Sequence, residues 1–392
     1  MTGPNDSQLH AIALPGPAAA DAVRRVWDAG YSVAVLDPNP ATLRDRLAAL
    51  APTHVVDRDG TRPYPAGRGV AAEVGAVVAT SGTTGAPRFV QLTTAGLRAS
   101  AAAVHDAIGL EPSDRWLACL PLHAVAGLAI VARGHFDGVP VETHARFDRD
   151  AVLEAAGRCS LVSFVPTTLT RVLDADPLGV ARFRRVLLGG GPIPAAVLAR
   201  AAAAGIAVST TYGLTETGGG CVHDGHPLAG AEIVLDPETA EILVRGPMVM
   251  AGYRDPEATS AGIGPDGWLR TGDIGRWAAD GRLEVIDRIK DLIISGGVNV
   301  SPVRIEAALR DSAGIADLVV VGLADPEWGE RVTAFVVPAD PATPPTLGAL
   351  RTAGAAAGLT PAELPRDVRT IEEVPRTPGG KPLRRVLRDR TA

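Results

Sequence analysis

The chain has 392 residues, of which 46% are hydrophobic and 21% are charged, and its formal net charge is -6. This composition predicts a globular protein of two or three domains and excludes a disordered chain. The negative net charge, together with the lack of a basic patch interleaved with aromatic residues, argues against a nucleic-acid-binding protein. No apolar run approaches the length of a membrane span, so no membrane insertion is expected.

The cysteines and lysines give further information about the class of protein. Cys119, Cys159 and Cys221 are far apart and odd in number, which argues against a disulfide framework or a zinc site. The polar first ten residues do not resemble a signal peptide, and we expect a cytoplasmic protein. Of 38 basic residues only Lys290 and Lys381 are lysine. A position that keeps lysine in such a chain suggests a need for a compact ammonium group.

Helices and strands alternate from residue 17 to about 210, which predicts mainly parallel sheets covered by helices on both faces. Helices are expected at 18–29, 40–50, 94–108, 124–133, 150–157 and 195–204. Strands are expected at 31–36, 53–56, 116–120, 139–142, 161–165, 185–188 and 206–210.

The pattern changes after Gly218, where short strands at 231–235, 241–245, 267–271 and 282–286 predict a small β-subdomain over about 219–287. Helices at 302–310 and 347–357 and strands at 316–323, 332–338 and 368–371 then predict an α+β domain, followed by a basic tail. We expect an α/β fold with a large N-terminal domain, residues 1–287, and a small C-terminal domain, residues 288–392. The boundary is placed between Asp287 and Asp291.

A loop rich in glycine and hydroxyl groups, residues 80–88, lies between apolar runs at 77–79 and 89–92. Its glycines permit tight backbone turns, and its hydroxyls and free amides suit phosphate oxygens. Arg88 adds a positive charge at the exit. The loop lacks the Walker A pattern, and a polar hairpin turn is the alternative interpretation.

A second cluster, residues 211–217, is expected just past a strand end, where open parallel sheets bind ligands. Tyr212 offers a stacking face for a purine, and the loop at 189–192 is expected to form the opposite wall. Glu216 repels a polyphosphate unless Mg²⁺ lies between them. Connecting loops are the alternative for both segments.

Three further segments carry charged residues that are candidates for binding or catalysis. Residues 267–273 place Asp273 after a tight turn, where its carboxylate suits ribose hydroxyls, and an exposed turn aspartate is the alternative. Residues 287–297 combine charges at the domain junction with two following glycines. Residues 375–381 present Lys381, and the alternative there is a basic tail.

These five segments, in this order and spacing, resemble the adenylate-forming superfamily of acyl-CoA synthetases, peptide-synthetase adenylation domains and luciferases. The resemblance covers about residues 70–385. It implies ATP-dependent activation of a carboxylic acid to an acyl-adenylate, followed by transfer to coenzyme A, with ATP, Mg²⁺ and coenzyme A as cofactors.

The resemblance also assigns the nucleotide contacts. It implies a flexible loop over the β- and γ-phosphates of ATP, formed by Thr80, Ser81, Gly82, Thr83, Thr84, Gly85 and Arg88. Arg88 stands where the family usually has lysine. Magnesium is assigned to Glu216 and Thr83. The adenine, α-phosphate and ribose are assigned to Gly190, Gly191, Pro192, Tyr212, Gly213, Thr215, Asp273 and Arg288.

In the second domain, the resemblance makes Lys381 the lysine that spans the acid and the α-phosphate. Lys290 falls on the hinge of a mobile C-terminal domain. Gly296 and Gly297 are expected to line the tunnel for the pantetheine arm of coenzyme A. The resemblance thus implies that the second domain rotates between the two half-reactions.

The acid pocket departs from the family pattern. Residues 120–128 resemble the PLFHxxGL motif, but His123 comes one place early and Ala124 takes the usual histidine position. Gly213 is also assigned to the acid pocket. Arg133 lies where the o-succinylbenzoate–CoA ligases of menaquinone biosynthesis carry a basic residue facing a second carboxylate. A surface arginine on an amphipathic helix is the alternative.

The expected function is therefore o-succinylbenzoate–CoA ligase. The same chemistry on another aryl or acyl acid, including the loading of a carrier protein, is an alternative, and a non-catalytic nucleotide-binding relative is a third. A homodimer is compatible with the sequence, which does not determine the oligomeric state.

Overall fold

The structure is a computed structural model that describes residues 6–80, 88–310, 312–376 and 382–389. It divides into two compact units. The first contains Met1–Val234 and Leu243–Thr271, and the second contains Leu235–Ile242 and Gly272–Ala392. The predicted domain boundary near residue 288 stays a prediction.

The elements up to residue 93 are mostly strands. They are β1 (Asp6–Ser7), β2 (Leu9–Ile12), β3 (Ser32–Val35), β4 (His54–Asp57), β5 (Gly60–Pro63), β6 (Val70–Ala71), β7 (Val74–Ala79) and β8 (Phe89–Thr93), with helices α1 (Gly16–Asp28) and α2 (Pro40–Leu50).

Helices and strands then alternate as far as residue 227. The helices are α3 (Thr94–Ile108), α4 (Val125–Asp137), α5 (Arg149–Ala155), α6 (Pro166–Ala175), α7 (Pro177–Val180) and α8 (Ala195–Ala203). The strands are β9 (Trp116–Ala118), β10 (Val141–Thr143), β11 (Leu161–Phe164), β12 (Arg185–Leu188), β13 (Val208–Leu214), β14 (Gly219–His223) and β15 (His226–Pro227).

The remaining elements lie between residues 232 and 389. They are β16 (Glu232–Leu235), β17 (Glu241–Arg245), β18 (Gly252–Tyr253), α9 (Pro256–Gly262), β19 (Leu269–Trp277), β20 (Leu283–Arg288), β21 (Ile293–Ser295), β22 (Val298–Val300), α10 (Pro302–Leu309), β23 (Ile315–Asp325), β24 (Gly329–Pro338), α11 (Leu347–Ala356), β25 (Asp367–Thr370) and α12 (Arg384–Asp389).

Two seven-stranded sheets form the first unit, in the orders β10-β9-β11-β12-β13-β14-β15 and β18-β8-β7-β3-β2-β4-β5. The central strands of both are parallel, whereas pairs near the edges, such as β13 with β14 and β7 with β8, are antiparallel. Apolar residues buried on the central strands explain this arrangement, because a parallel sheet needs helices on both faces. The predicted mainly parallel sheets are confirmed.

Local chemistry fixes the helices that lead to the sheet edges. The Thr93 hydroxyl accepts from the Gly96 amide across 2.9 Å and caps the start of α3. Helix α4 ends at Gly138, whose φ of 72° is a left-handed conformation that favours glycine. Among the described helices, none combines the length and the apolarity that crossing a membrane requires.

The second unit contains a five-stranded sheet, in which β23 and β24 pair along most of their length. One face packs on α10 and α11 through an apolar cluster that includes Ile305, Leu318 and Leu350. On the other face, Leu387 of α12 packs with Val319 and Phe335.

Several predicted elements were wrong in extent or missing. Residues 9–12, assigned to no element, form the central strand β2, and residues 384–389, predicted as part of a basic tail, form α12. Helix α6 was missed because its threonines lower helix propensity, although Pro166 and the Thr168 hydroxyl fix its first turn. Helix α4 runs past residue 133 to Asp137. Strand β13 runs from Val208 to Leu214 and not over 206–210.

A buried ion pair anchors α12 to the rest of the second unit. Arg384 Nη2 donates to Glu306 Oε1 across 2.7 Å, and the same oxygen accepts from the Val320 amide at 2.8 Å. Both side chains are buried, at 8% and 7% exposure. Burial raises the pKa of Glu306, which shows that its charge depends on this pairing.

We predict that Arg384→Met destabilises the second unit by about 3–5 kcal/mol, because the buried carboxylate of Glu306 loses the cation with which it forms an ion pair. Urea unfolding at neutral pH measures this change. Arg385→Met is the matched control, since Arg385 is exposed and lies 3.8 Å from the exposed Asp389, and we expect it to cost less than about 1 kcal/mol. Equal unfolding midpoints for the two variants would contradict the prediction.

Candidate active site

The predicted phosphate loop joins two paired strands. Strands β7 and β8 are antiparallel with Ala79 opposite Phe89, and the Thr80 amide donates to the Arg88 carbonyl across 2.8 Å. The prediction that this loop connects two strands is therefore confirmed. Arg88 is exposed at its exit. The predicted phosphate contacts within the loop lie outside the described residues; these are Ser81, Gly82, Thr83, Thr84 and Gly85.

Glu216, the predicted magnesium ligand, is held by Tyr253, which the sequence analysis did not identify. Glu216 lies in a 3-10 turn, Thr215–Thr217, directly after β13. The Tyr253 hydroxyl donates to Glu216 Oε1 across 2.7 Å. Burial and, next, the charge of Glu216 raise the pKa of Tyr253, so the phenol stays protonated and remains a donor. A lone tyrosine in a β-rich segment carries no motif that would have revealed this role.

The surroundings of Glu216 fit a magnesium ion shared with a polyphosphate. Oε1 of Glu216 accepts the hydrogen bond from the Tyr253 hydroxyl. The Arg88 guanidinium carbon lies 5.7 Å from the centre of the Tyr253 ring, which brings a cation close to the same place. No group of three or more His, Cys, Asp or Glu residues in the described ranges could hold a metal by itself. Mg²⁺ suits such a site because it takes most ligands from phosphate and water.

The segment around Tyr212 extends beyond its parallel neighbour. Strand β12 ends at Leu188, opposite Thr210, and β13 continues from Thr211 to Leu214 as an antiparallel partner of β14. The expectation that residues 211–217 begin past a strand end is therefore wrong, although they do lie beyond the end of β12. Tyr212 is half-buried on this extension.

Backbone geometry favours glycine at two of the predicted positions near Tyr212, Gly213 and Gly190. A Cβ on Gly213 would lie 1.9 Å from the Gly219 carbonyl oxygen, so the approach of β14 excludes a side chain there. Gly190 has a left-handed φ of 81°, and a Cβ on Gly191 would meet no heavy atom within 4 Å. Gly191, next to Pro192, thus borders open space. The contacts of these residues and Thr215 with a nucleotide stay predictions.

In the second unit, Asp273 and Arg288 face each other on paired strands. Asp273 lies within β19 opposite Arg288 of β20, and Arg288 Nε is 2.8 Å from Asp273 Oδ1. The exposed-turn alternative for Asp273 is wrong, because the residue is 4% exposed. Glu241 was missed by the sequence analysis; its Oε1 accepts from the Gly272 amide at 2.8 Å and holds the backbone just before Asp273.

The predicted hinge and tunnel residues lie in two turns of the second unit. Lys290 is exposed in a 3-10 turn, Ile289–Asp291. Gly296 and Gly297 form the two-residue turn between β21 and β22, with φ values of 61° and 78° that favour glycine. A Cβ on Gly296 would also lie 3.0 Å from the Trp328 ring. These glycines are therefore required by the turn itself, and their place along a tunnel stays a prediction.

Lys381 and residues 377–380 lie outside the described part of the chain. The segments on either side are described. Arg376 and Pro382 form a β-bridge, and the Leu383 amide donates to the Pro375 carbonyl across 2.8 Å. Arg376 also pairs with Asp317 at 2.8 Å.

Arg133 is buried on α4 and lacks an ion pair among the described residues. It is 5% exposed, and its Nε has no hydrogen-bond partner. Burial lowers its pKa to about 10, so the guanidinium remains charged at neutral pH. The surface-arginine alternative is therefore wrong. A buried charge of this kind calls for an anion.

A hydrogen-bonded chain fixes the ring against which Arg133 lies. The guanidinium carbon of Arg133 is 5.1 Å from the centre of the Trp116 ring. Trp116 Nε1 donates to His105 Nε2 across 3.0 Å, and Asp137 Oδ2 lies 2.6 Å from His105 Nδ1. Because the indole only donates, Nε2 accepts, and the imidazole proton lies on Nδ1 toward Asp137.

His223, at the end of β14, adds a second buried polar group near this arginine. It is 7% exposed, and neither ring nitrogen has a partner among the described residues. Burial and, next, the charge of Arg133 lower the pKa of His223 to about 4, so the imidazole is neutral at pH 7. A role for His223 was not predicted from the sequence, because a histidine before Asp-Gly is typical of a turn.

His123 lies at the turn before α4 and is half-buried. Burial lowers the pKa of His123. The charge of Asp37 raises it by a smaller amount, and the charge of Arg46 lowers it. Its imidazole is therefore biased toward the neutral form. Its contact with the acid stays a prediction.

Comparison with known proteins decides the family. A model described as AMP-binding enzyme matches residues 17–254, and one described as AMP-binding enzyme C-terminal domain matches residues 304–381. The first match alone covers more than half of the chain. The chain belongs to the AMP-binding enzyme family. The family and the α/β fold with a large and a small domain are thereby confirmed.

Within the family, the chain is similar to proteins that are named 2-succinylbenzoate–CoA ligases. It is 40% identical over 327 residues to a probable 2-succinylbenzoate–CoA ligase of Mycobacterium tuberculosis (strain H37Rv), with 80% of this chain and 84% of the relative covered. It is 37% identical to the 2-succinylbenzoate–CoA ligase of Bacillus pumilus (strain SAFR-032), with 67% of this chain and 58% of the relative covered.

Solved structures show the same similarity. The o-succinylbenzoate CoA synthetase (MenE) of Bacillus subtilis, in complex with the acyl-adenylate intermediate OSB-AMP, superposes with a TM-score of 0.86 at 28% identity. The superposition covers 98% of this chain and 89% of that one. The same synthetase in complex with ATP and a magnesium ion gives a TM-score of 0.84, with 97% and 89% covered.

We predict that His223 makes the fold less stable in acid. The pKa is about 4 when folded and 6.5 in the reference state, so between these values only the unfolded chain binds the proton. Stability from this residue is therefore lost as the pH falls from about 6.5 to about 4, by roughly 1 kcal/mol per pH unit at most. Urea unfolding across this range should show a shallower pH dependence for His223→Phe than for wild type. His226→Phe, an exposed residue opposite His223, should keep the wild-type dependence, and identical slopes in all three proteins would refute the prediction.

Proposed function

We propose that the protein is an AMP-forming acid–CoA ligase whose substrate is 2-succinylbenzoate. It uses ATP, Mg²⁺ and coenzyme A. The similarity to named 2-succinylbenzoate–CoA ligases over most of the chain supports the reaction. The observation that supports this particular acid is the buried Arg133, which forms no ion pair among the described residues.

The chemistry of the substrate explains why Arg133 is informative. The carboxylate that reacts with ATP loses its charge when it becomes an acyl-adenylate, so it cannot neutralise a buried cation through the whole reaction. A second, non-reacting carboxylate can. Leaving a buried charge unpaired costs several kcal/mol, which an acid with two carboxylates would offset on binding.

The first half-reaction joins two anions. A carboxylate oxygen of the acid forms a bond to the α-phosphorus of ATP, the bond from that phosphorus to the bridging oxygen breaks, and pyrophosphate leaves with the bond electrons. Magnesium, when bound, neutralises phosphate charge. Tyr253 holds Glu216 in position for the metal–phosphate group, while Arg88 and Lys381 are proposed to place positive charge along the reacting anions.

The nucleotide and acceptor contacts are proposed from the family resemblance. Asp273 would accept from the ribose hydroxyls beside Arg288, and Tyr212 would stack on adenine. In the second half-reaction the thiol of coenzyme A loses its proton and attacks the acyl carbonyl carbon. The acyl–oxygen bond to AMP then breaks, giving a thioester. We propose that a domain boundary near residue 288, with Lys290 as hinge, permits the second domain to bring Gly296 and Gly297 to the pantetheine arm.

The proposal also covers the cellular location and the oligomeric state of the protein. All three cysteines are free and buried, which agrees with a reducing cytoplasm. A homodimer is a hypothesis that light scattering of the purified protein would test. Neither point affects the reaction assigned above.

A panel of carboxylic acids with ATP, with and without coenzyme A, tests the function by product mass. We expect 2-succinylbenzoate to give its adenylate with ATP alone and its CoA thioester when coenzyme A is present. Arg133→Ala should raise the KM for this acid at least about 10-fold, because a hydrogen-bonded charge partner is lost, and should leave the KM for ATP unchanged. Arg98→Ala removes an exposed arginine stacked at 4.5 Å on Phe136 and serves as control. An unchanged KM in Arg133→Ala, or a preference for monocarboxylic acids, would remove the assignment of this acid.

Tyr253→Phe tests the magnesium site. Loss of the hydroxyl leaves Glu216 Oε1 without its donor, so the carboxylate is less well oriented. We expect the Mg²⁺ concentration for half-maximal adenylation to rise about 10-fold, with the KM for the acid within about two-fold of wild type. Tyr31→Phe, at a partly exposed tyrosine of the same unit, is the control. A Mg²⁺ dependence identical to wild type would show that Glu216 does not need this partner.

A further inference from the structure

His223 is a buried polar residue of the first unit that the assignments above leave unexplained. Its ring is buried, and both nitrogens lack a partner among the described residues. A neutral imidazole always has one N–H and one lone pair, and each buried unsatisfied group costs about 1–3 kcal/mol. Two such groups on one side chain call for a hydrogen-bonding partner beyond the described residues, and a bound ligand would supply one.

The surroundings of His223 connect it to the acid pocket. It pairs across the sheet with Thr211, next to Tyr212 on β13. The charge of Arg133 acts on its imidazole, and Arg133 itself carries a buried nitrogen without a partner. Helix α4 approaches the start of β14 closely, since a Cβ on Gly219 would lie 3.7 Å from the Ala129 methyl carbon. Arg133 and His223 thus belong to neighbouring elements and share the same kind of unmet hydrogen bonds.

Gly220 keeps the imidazole free of crowding. A Cβ at this position would lie 3.3 Å from His223 Nε2 and 3.4 Å from the Thr211 Cβ, closer than most side-chain contacts. Because glycine has no Cβ, His223 Nε2 faces the space that a side chain at position 220 would otherwise fill. The glycine thus keeps a side chain away from Nε2.

We infer that His223 is a specificity-determining residue, whose imidazole N–H donates to the non-reacting carboxylate that pairs with Arg133. The inference rests on the proposed function. Arg133 supplies the charge and His223 a directed hydrogen bond to the same group. A carboxylate has about four lone-pair positions, so it can accept from both at once. The neutral imidazole adds no second buried cation that would have to be neutralised.

The decisive experiment compares two acids in each variant. One is 2-succinylbenzoate, and the other is whichever of its two analogues lacking one carboxylate the wild type activates. His223→Phe should lower kcat/KM for the dicarboxylic acid at least about 10-fold, mainly through KM, and should leave the value for the analogue within about two-fold. His223→Gln, which keeps an amide N–H, should recover most of the loss. His226→Phe is the matched control, because it makes the same change at the exposed residue opposite in the sheet.

Gly220→Ala provides a second variant that does not alter the histidine. Its methyl group would crowd Nε2, so we expect a loss of the same selectivity, smaller than that of His223→Phe. An unchanged selectivity ratio in His223→Phe, or an equal loss on both acids, overturns the inference, because either result means that the ring only packs. If His223→Phe does not fold, His223→Gln and Gly220→Ala decide by the same ratio. A wild type inactive on every dicarboxylic acid overturns the proposed function together with this inference, whereas an active wild type with unchanged ratios overturns the inference alone.

Discussion

A positive charge buried inside the first unit is the constraint on which the proposed acid pocket depends. Arg133 lies against the Trp116 ring, and Trp116 is fixed in turn by its hydrogen bond to His105 and by the contact of His105 with Asp137. Asp137, the carboxylate whose charge acts on Arg133, is thus already engaged. Arg133 forms no ion pair among the described residues, so its guanidinium could pair with the carboxylate of the proposed acid.

A second constraint links the two sheets of the first unit. Tyr253 belongs to the sheet that carries the phosphate-loop hairpin, where it pairs with Val90 of β8. Glu216 follows β13 of the other sheet, and it is held twice, by the Tyr253 hydroxyl and by the Met250 amide, which donates to its carbonyl across 2.8 Å. The proposed metal ligand and the base of the loop are therefore positioned by one set of contacts. This coupling matters for a reaction in which metal, phosphates and loop have to meet.

The motifs with strict local requirements were predictable from the sequence. The hairpin at residues 80–88 follows from two apolar runs around a glycine-rich turn, and Gly296 and Gly297 occupy a turn that needs left-handed backbone at both positions. The buried partners were not predictable. Tyr253 is 37 residues from Glu216 in sequence, and His223 reads as a turn residue until β14 is seen beside α4. Helix α12 was missed because its burial depends on an ion pair with Glu306, 78 residues away.

By itself, the sequence determined the fold class, the family and the residues expected to handle ATP, because short motifs encode turn geometry and charge within a few neighbouring residues. The tertiary structure alone decided which of the charged groups are buried and which are paired. It shows that Asp273 faces Arg288 and that, among the described residues, the buried Arg133 forms no ion pair and neither ring nitrogen of His223 has a hydrogen-bond partner. The physical reason is that burial and hydrogen-bond partnership depend on the packing of elements far apart in the chain, which no local pattern records.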